Sequence, residues 1–112
     1  MAELLELGTA PIRPDAPTGA PGRDEPEFEI LQLELRKLEM PDQPTVRWDH
    51  AIDAATTLLS RKSKDLLIAA YLTVGLLERD GYPGLVIGLT VMRDLVTTYW
   101  EPLFPEIKRL RG

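Results

Sequence analysis

At 112 residues the chain has length for one compact domain and not for two. Its 13 basic and 18 acidic side chains leave a net charge of −5, which argues against a general phosphate-backbone binder. With no cysteine and one histidine, disulfides, thiolate catalysis and Cys-ligated metals are excluded, and no His cluster can form.

The start, Met1-Ala2-Glu3-Leu4-Leu5-Glu6, is acidic where a secretory signal would be basic. Ala2 to Leu7 has the composition of one short helical turn, too brief to stand without packing. Gly8 to Pro26 then holds five of the ten prolines, which fix φ and lack a donor, so it reads as an extended lead-in. Either it is a disordered linker, or it is a strap with Ile12 and the prolines laid across the domain. The boundary drawn from this pattern separates a leader, 1–26, from a helical domain, 27–112.

Pro26 to Met40 carries two signals. Leu31-Gln32-Leu33-Glu34-Leu35 alternates as a strand would, yet Phe28, Leu31, Leu35 and Leu38 fall at helical spacing among good helix formers. Pro26 suits a first-turn position, Glu27 and Glu29 suit the positive helix end, and Pro41 supplies a stop, so a helix is predicted. The second helix is predicted over Val46–Arg61, with Trp48, Ala51, Ile52, Ala55, Leu58 and Leu59 as its apolar stripe. Asp49, Asp53, Thr56 and Ser60 occupy its other side. Ser63 reads as the N-cap of the third helix, with Asp65 in the first turn.

The third helix, Lys64–Asp80, carries no charge between Leu66 and Leu77, so it is expected at the centre of the domain around Leu72. That run of 12 residues is short of the roughly 20 a membrane span needs, and a soluble, cytoplasmic protein is expected. Gly81 and Pro83 end the helix. The fourth helix, Pro83–Trp100, is predicted to pack through Leu85, Leu89, Met92, Val96 and Tyr99. Gly84 and Gly88 cost roughly 1 kcal/mol each inside a helix. Close approach to the third helix, near Ala70 or Gly75, is the expected offset. Pro102 and Pro105 break the pattern around an apolar pair, Leu103-Phe104, the candidate exposed docking element. Trp48 and Trp100 are either core anchors or interface anchors, and by their spacing near the apolar stripes the core is expected. The tail Lys108-Arg109-Leu110-Arg111 is basic and helix-friendly. The expected fold is all-α, a bundle of about four main helices with short antiparallel connections.

Catalytic chemistry is not evident. His50 and Asp53 lie one turn apart but supply two ligands where a zinc site wants three or four. Gly81-Tyr82-Pro83-Gly84 lacks the Lys-Ser/Thr of a phosphate loop. Ser63 and Lys64, adjacent on the chain, point apart on a helix and do not make a nucleophile pair. No catalytic residue, cofactor or metal is expected.

The ordered set Ser63-Lys64-Asp65-Leu66, Ala70-Tyr71-Leu72, Gly81, Gly84-Leu85, Gly88-Leu89, Tyr99-Trp100, Leu103 and Pro105 resembles the ImpA amino-terminal domain, which opens the TssA family of type VI secretion proteins. Pro11-Ile12, Asp15, Pro17 and Gly19 match that family's entry segment, and Trp48 and Leu59 fit the helix before the Ser-Lys-Asp string. Arg47 stands where the family often has an acidic residue, and Tyr71 where tryptophan is frequent. The resemblance implies a non-enzymatic assembly and docking module of a contractile injection machine in a Gram-negative bacterium, a part of a longer protein. Implied partners are baseplate, sheath or tube subunits, with no nucleic acid and no membrane insertion. The alternative is a helical self-association domain of a sheath-regulating or membrane-attached accessory protein.

Overall fold

The computed structural model describes residues 2–42 and 45–104. Pro105 and the basic tail lie outside the described residues. The fold is all-α: α1 (Ala2–Glu6), α2 (Pro26–Arg36), α3 (Trp48–Thr57), α4 (Leu66–Asp80) and α5 (Tyr82–Tyr99). A 3-10 turn, Lys37–Glu39, prolongs α2, and a π-turn, Leu58–Lys62, prolongs α3.

Each helix buries the stripe its sequence supplies, with two exceptions. Phe28 and Leu31 of α2 and Ala51, Ile52, Ala54 and Ala55 of α3 face the core, closed by Leu58 and Leu59 of the π-turn. Glu34, the one charged side chain that α2 buries, accepts from Lys37 Nζ at 2.8 Å and from the Arg47 N–H at 2.8 Å. Burial alone would raise its pKa, but these two donors outweigh that and hold the carboxyl below its ordinary range. The contact ties the end of α2 to the chain entering α3.

The first exception is α4. It packs on α3 and α5 through Ile68, Ala69, Leu72, Thr73, Gly75 and Leu76, all buried, as its uncharged sequence predicts. It is not surrounded, however: Val74 and Leu77 are 40% and 37% exposed. The absence of charge marks a helix covered on most sides, and one flank stays open because α2 does not reach over it.

The second exception is α5. Its buried side is Gly84, Gly88, Val91, Leu95 and Tyr99, about a quarter turn from the predicted one; Leu89 and Val96 face solvent. The physical reason lies in the glycines. A Cβ on Gly84 would strike the Leu76 carbonyl, and one on Gly88 would lie 2.7 Å from Thr73 Cα. The two helix backbones therefore approach closely along this side, at Leu76 and Thr73 rather than at Ala70 or Gly75. Small residues select the packed face over the larger apolar ones.

The leader is a strap. Leu4 and Leu7 of α1 and its end are buried, Gly8 abuts Val91 and Asp94 of α5, and Tyr99 Oη donates to the Thr9 carbonyl. Beyond it, the Ile12 N–H donates to the Pro17 carbonyl at 2.8 Å, closing a loop whose prolines need no ladder partners.

Candidate functional site

The string Ser63-Lys64-Asp65 leaves the helical path. Ser63 and Asp65 are extended, at φ −160°, ψ 130° and φ −120°, ψ 122°. Two distant segments pair with this short stretch. On one side the Lys64 N–H donates to the Thr18 carbonyl (2.9 Å) and the Ala20 N–H to the Lys62 carbonyl (3.1 Å). On the other, the Phe104 N–H donates to the Lys64 carbonyl (2.9 Å) and the Leu66 N–H to the Phe104 carbonyl (2.7 Å). Gly19, at φ +72°, lets the strap lie against Lys62, where any Cβ would collide.

The three side chains are all buried. Asp65, not Ser63, caps α4: its Oδ1 accepts from the Leu67 N–H at 2.9 Å, and its carboxylate meets Arg23 Nε at 3.1 Å. Ser63, extended and two residues before the cap, does not reach the helix start; its Oγ has no partner among the described residues. Lys64 is fully buried, and its Nζ donates to the carbonyls of Leu7 (2.7 Å) and Leu59 (2.6 Å). The π-turn has its own closing bond, Ser63 N–H to the Leu58 carbonyl at 2.7 Å. Lysine is the side chain long enough to reach α1 from here, and its role could not be read from spacing along the chain.

Burial pushes the Lys64 ammonium from its ordinary value of 10.5 down to about 8. Between those values the unfolded chain holds a proton the folded one has released. The cost of burying the charge is thus full below pH 8 and is relieved as pH rises toward 10.5, by up to roughly 3 kcal/mol. Lys64→Met should lose that rise. Urea titrations of both proteins from pH 7 to 10.5 check this.

The remaining predicted site residues divide between core and surface. Leu72, Gly84, Gly88 and Tyr99 are buried, and Trp48 packs half-buried against Gly75. Trp100 is 46% exposed and does not join the core. Leu103-Phe104 is not an exposed hook: Leu103 is buried in the core, and Phe104 is half-buried and pairs through its backbone as described. After Pro102 the chain turns back onto the domain through Leu103 and Phe104 instead of projecting from it. His50 is exposed in a shallow depression with Glu27 and Asp53. Among the described residues no group of three or more His, Asp or Glu could hold a metal ion.

The apolar surface that stays open lies elsewhere. Between α2 with its 3-10 turn and the uncovered flank of α4 runs a groove of about 370 Å³, lined by Gln32, Leu35, Arg36, Leu38, Tyr71 and Val74. Leu38, which continues the helical spacing of Phe28, Leu31 and Leu35, is 58% exposed at its rim. The mix of an apolar floor and Arg36, Glu39 and Gln32 at the edges suits a protein surface rather than a small molecule.

The family model described as ImpA, N-terminal, type VI secretion system matches residues 9–111. The chain belongs to the ImpA N-terminal family. This ImpA domain is 31% identical over 108 residues to the type VI secretion system component TssA1 of Pseudomonas aeruginosa, covering 86% of the chain and 30% of that protein. It also matches, with a TM-score of 0.77 and 30% identity, a solved N-terminal domain of the TssA component from Burkholderia cenocepacia, over 94% of the chain and 39% of the other. The ImpA domain thus spans about a third of the length of the relatives it matches. No helix among its described residues is long and apolar enough to cross a membrane.

Proposed function

We propose that this ImpA domain is a non-enzymatic, cytoplasmic assembly and docking module of a type VI secretion system, binding baseplate, sheath or tube subunits through the α2–α4 groove. The observation that carries the reading is the open apolar flank of α4 in a family whose relatives are secretion-system components. A helix uncharged over twelve residues would ordinarily be covered on every side, and Val74, with Leu38 across from it, is left for a partner. The Ser-Lys-Asp segment supports this division of labour, since its buried groups serve the fold and leave recognition to exposed side chains.

Purified baseplate, sheath and tube subunits of the same machine, titrated against the domain, test the proposal. At least one is expected to bind, and Leu38→Asp should weaken it tenfold or more while leaving the melting temperature within the range of surface substitutions, about 0.5 kcal/mol. Absence of binding to all three, or undiminished binding by Leu38→Asp, would contradict it.

A further inference from the structure

The outward side of α5 carries a second apolar surface, separate from the groove. Tyr82, Val86, Leu89 and Val96 are 81%, 62%, 51% and 36% exposed, and Trp100, which continues the helical path, is 46% exposed. With Arg93 these residues recur at the spacing of a single helix face and run along about 27 Å, the length of α5. Leu85 and Met92 flank them, half-buried. No acidic residue lies in the row, although the chain carries a net charge of −5.

The order of residues in this row is its most specific feature. Tyr82 and Trp100 lie nine residues on either side of Val91, Val86 and Val96 five, Leu89 and Arg93 two. Val91 itself is buried on the opposite side of the helix. Reading outward from this centre, each step meets aliphatic matter, then valine, then an aromatic ring, in both directions. A two-fold interface brings residue i of one copy to residue j of the other and j to i, so a row with this symmetry is complementary to itself when antiparallel. Tyr82 would stack on Trp100, Val86 would meet Val96, and Leu89 would rest on the aliphatic stem of Arg93.

The charges permit this pairing. Two Arg93 guanidinium groups would come near the two-fold axis, but each is already bridged to its own Asp94 at 2.9 Å. Each copy therefore presents a neutral pair there instead of a bare cation.

We propose that the outer face of α5 is a homotypic contact, binding a second copy of this chain antiparallel about an axis at the level of Val91. A single helix face is at the small end of specific interfaces, below about 1,200 Å² in total, so the contact is weak and concentration-dependent. It is independent of the docking proposed for the α2–α4 groove, which uses other helices.

The absence of cysteine from the chain makes the register directly testable. Val86→Cys and Val96→Cys are prepared separately, both at exposed positions, and each is checked by its thermal melt. Under mild oxidation at high concentration, an equimolar mixture is expected to give a disulfide-linked dimer of one Val86→Cys and one Val96→Cys chain. Each variant alone should give at least several-fold less, since like positions lie ten residues, about 15 Å, apart along the paired helices. Leu89→Glu introduced into both chains should abolish the mixed product. Equal crosslinking in all three samples, no crosslinking in the mixture, or a mixed product indifferent to Leu89→Glu would overturn the proposal.

Discussion

Leu72→Asp is expected to leave no cooperative unfolding transition. Leu72 is 1% exposed in the middle of α4, the helix that packs on both α3 and α5, and it belongs to the apolar core. Truncation alone, Leu72→Ala, removes packed atoms without space to collapse and should cost roughly 2–5 kcal/mol. The aspartate adds a charge with no partner, whose desolvation costs several kcal/mol more unless it takes up a proton. A domain of this size has about 5–15 kcal/mol in all. Circular dichroism during thermal melting checks both variants. A wild-type melt for Leu72→Asp would mean that α4 is not the helix on which the others pack.

Gly88→Val is the second large effect. Its Cβ would lie 2.7 Å from Thr73 Cα, a backbone-proximal atom that no rotamer change can remove, so α4 and α5 must separate along their most extensive contact. The expected loss is about 3 kcal/mol, read as a shift of the urea midpoint. Gly81→Ala is the control that separates two roles of glycine. Nothing lies within 4 Å of a Cβ there, but φ 72°, ψ −147° is a region glycine alone adopts without strain. It should cost on the order of 1–2 kcal/mol through backbone strain, with the α4–α5 contact intact.

These two glycine positions also show what sequence could and could not supply. The helices were legible because periodicity, capping proline and the lack of charge in Leu66–Leu77 are local properties. That Gly84 and Gly88 mark close packing was legible too, as a need to offset their helix cost. Which side of α5 they turn inward was not, since two apolar stripes compete and the larger side chains mislead. The cap of α4 lies at Asp65 and not Ser63 because the chain from Ser63 to Asp65 is extended and paired to Thr18 and Phe104 after a π-turn, and nothing in Leu58–Lys62 announces that by composition. Leu103 was misplaced for a similar reason. Prolines end a helix, but the direction the chain then takes depends on Lys64 and Leu66, nearly forty residues earlier.

The Ser-Lys-Asp string joins these observations. Its resemblance to a family pattern invites a functional role, while its geometry shows a structural one: backbone paired on both edges, Asp65 holding Arg23 and the α4 cap, Lys64 holding α1 and the π-turn. The domain is then a preassembled platform, and its exposed helix faces, the α2–α4 groove and the outer side of α5, are the surfaces we propose for docking and for the homotypic contact.

Amide hydrogen exchange on the free domain tests that claim most directly. The N–H groups of Ala20, Lys64, Leu66 and Phe104, all outside regular helix or at its first residue, are expected to exchange as slowly as those of Leu72 and Leu76, through global unfolding alone. If these four exchange at the rate of open loops while α4 stays protected, the strap and the returning chain are not fastened to this segment, and its residues are free for another purpose.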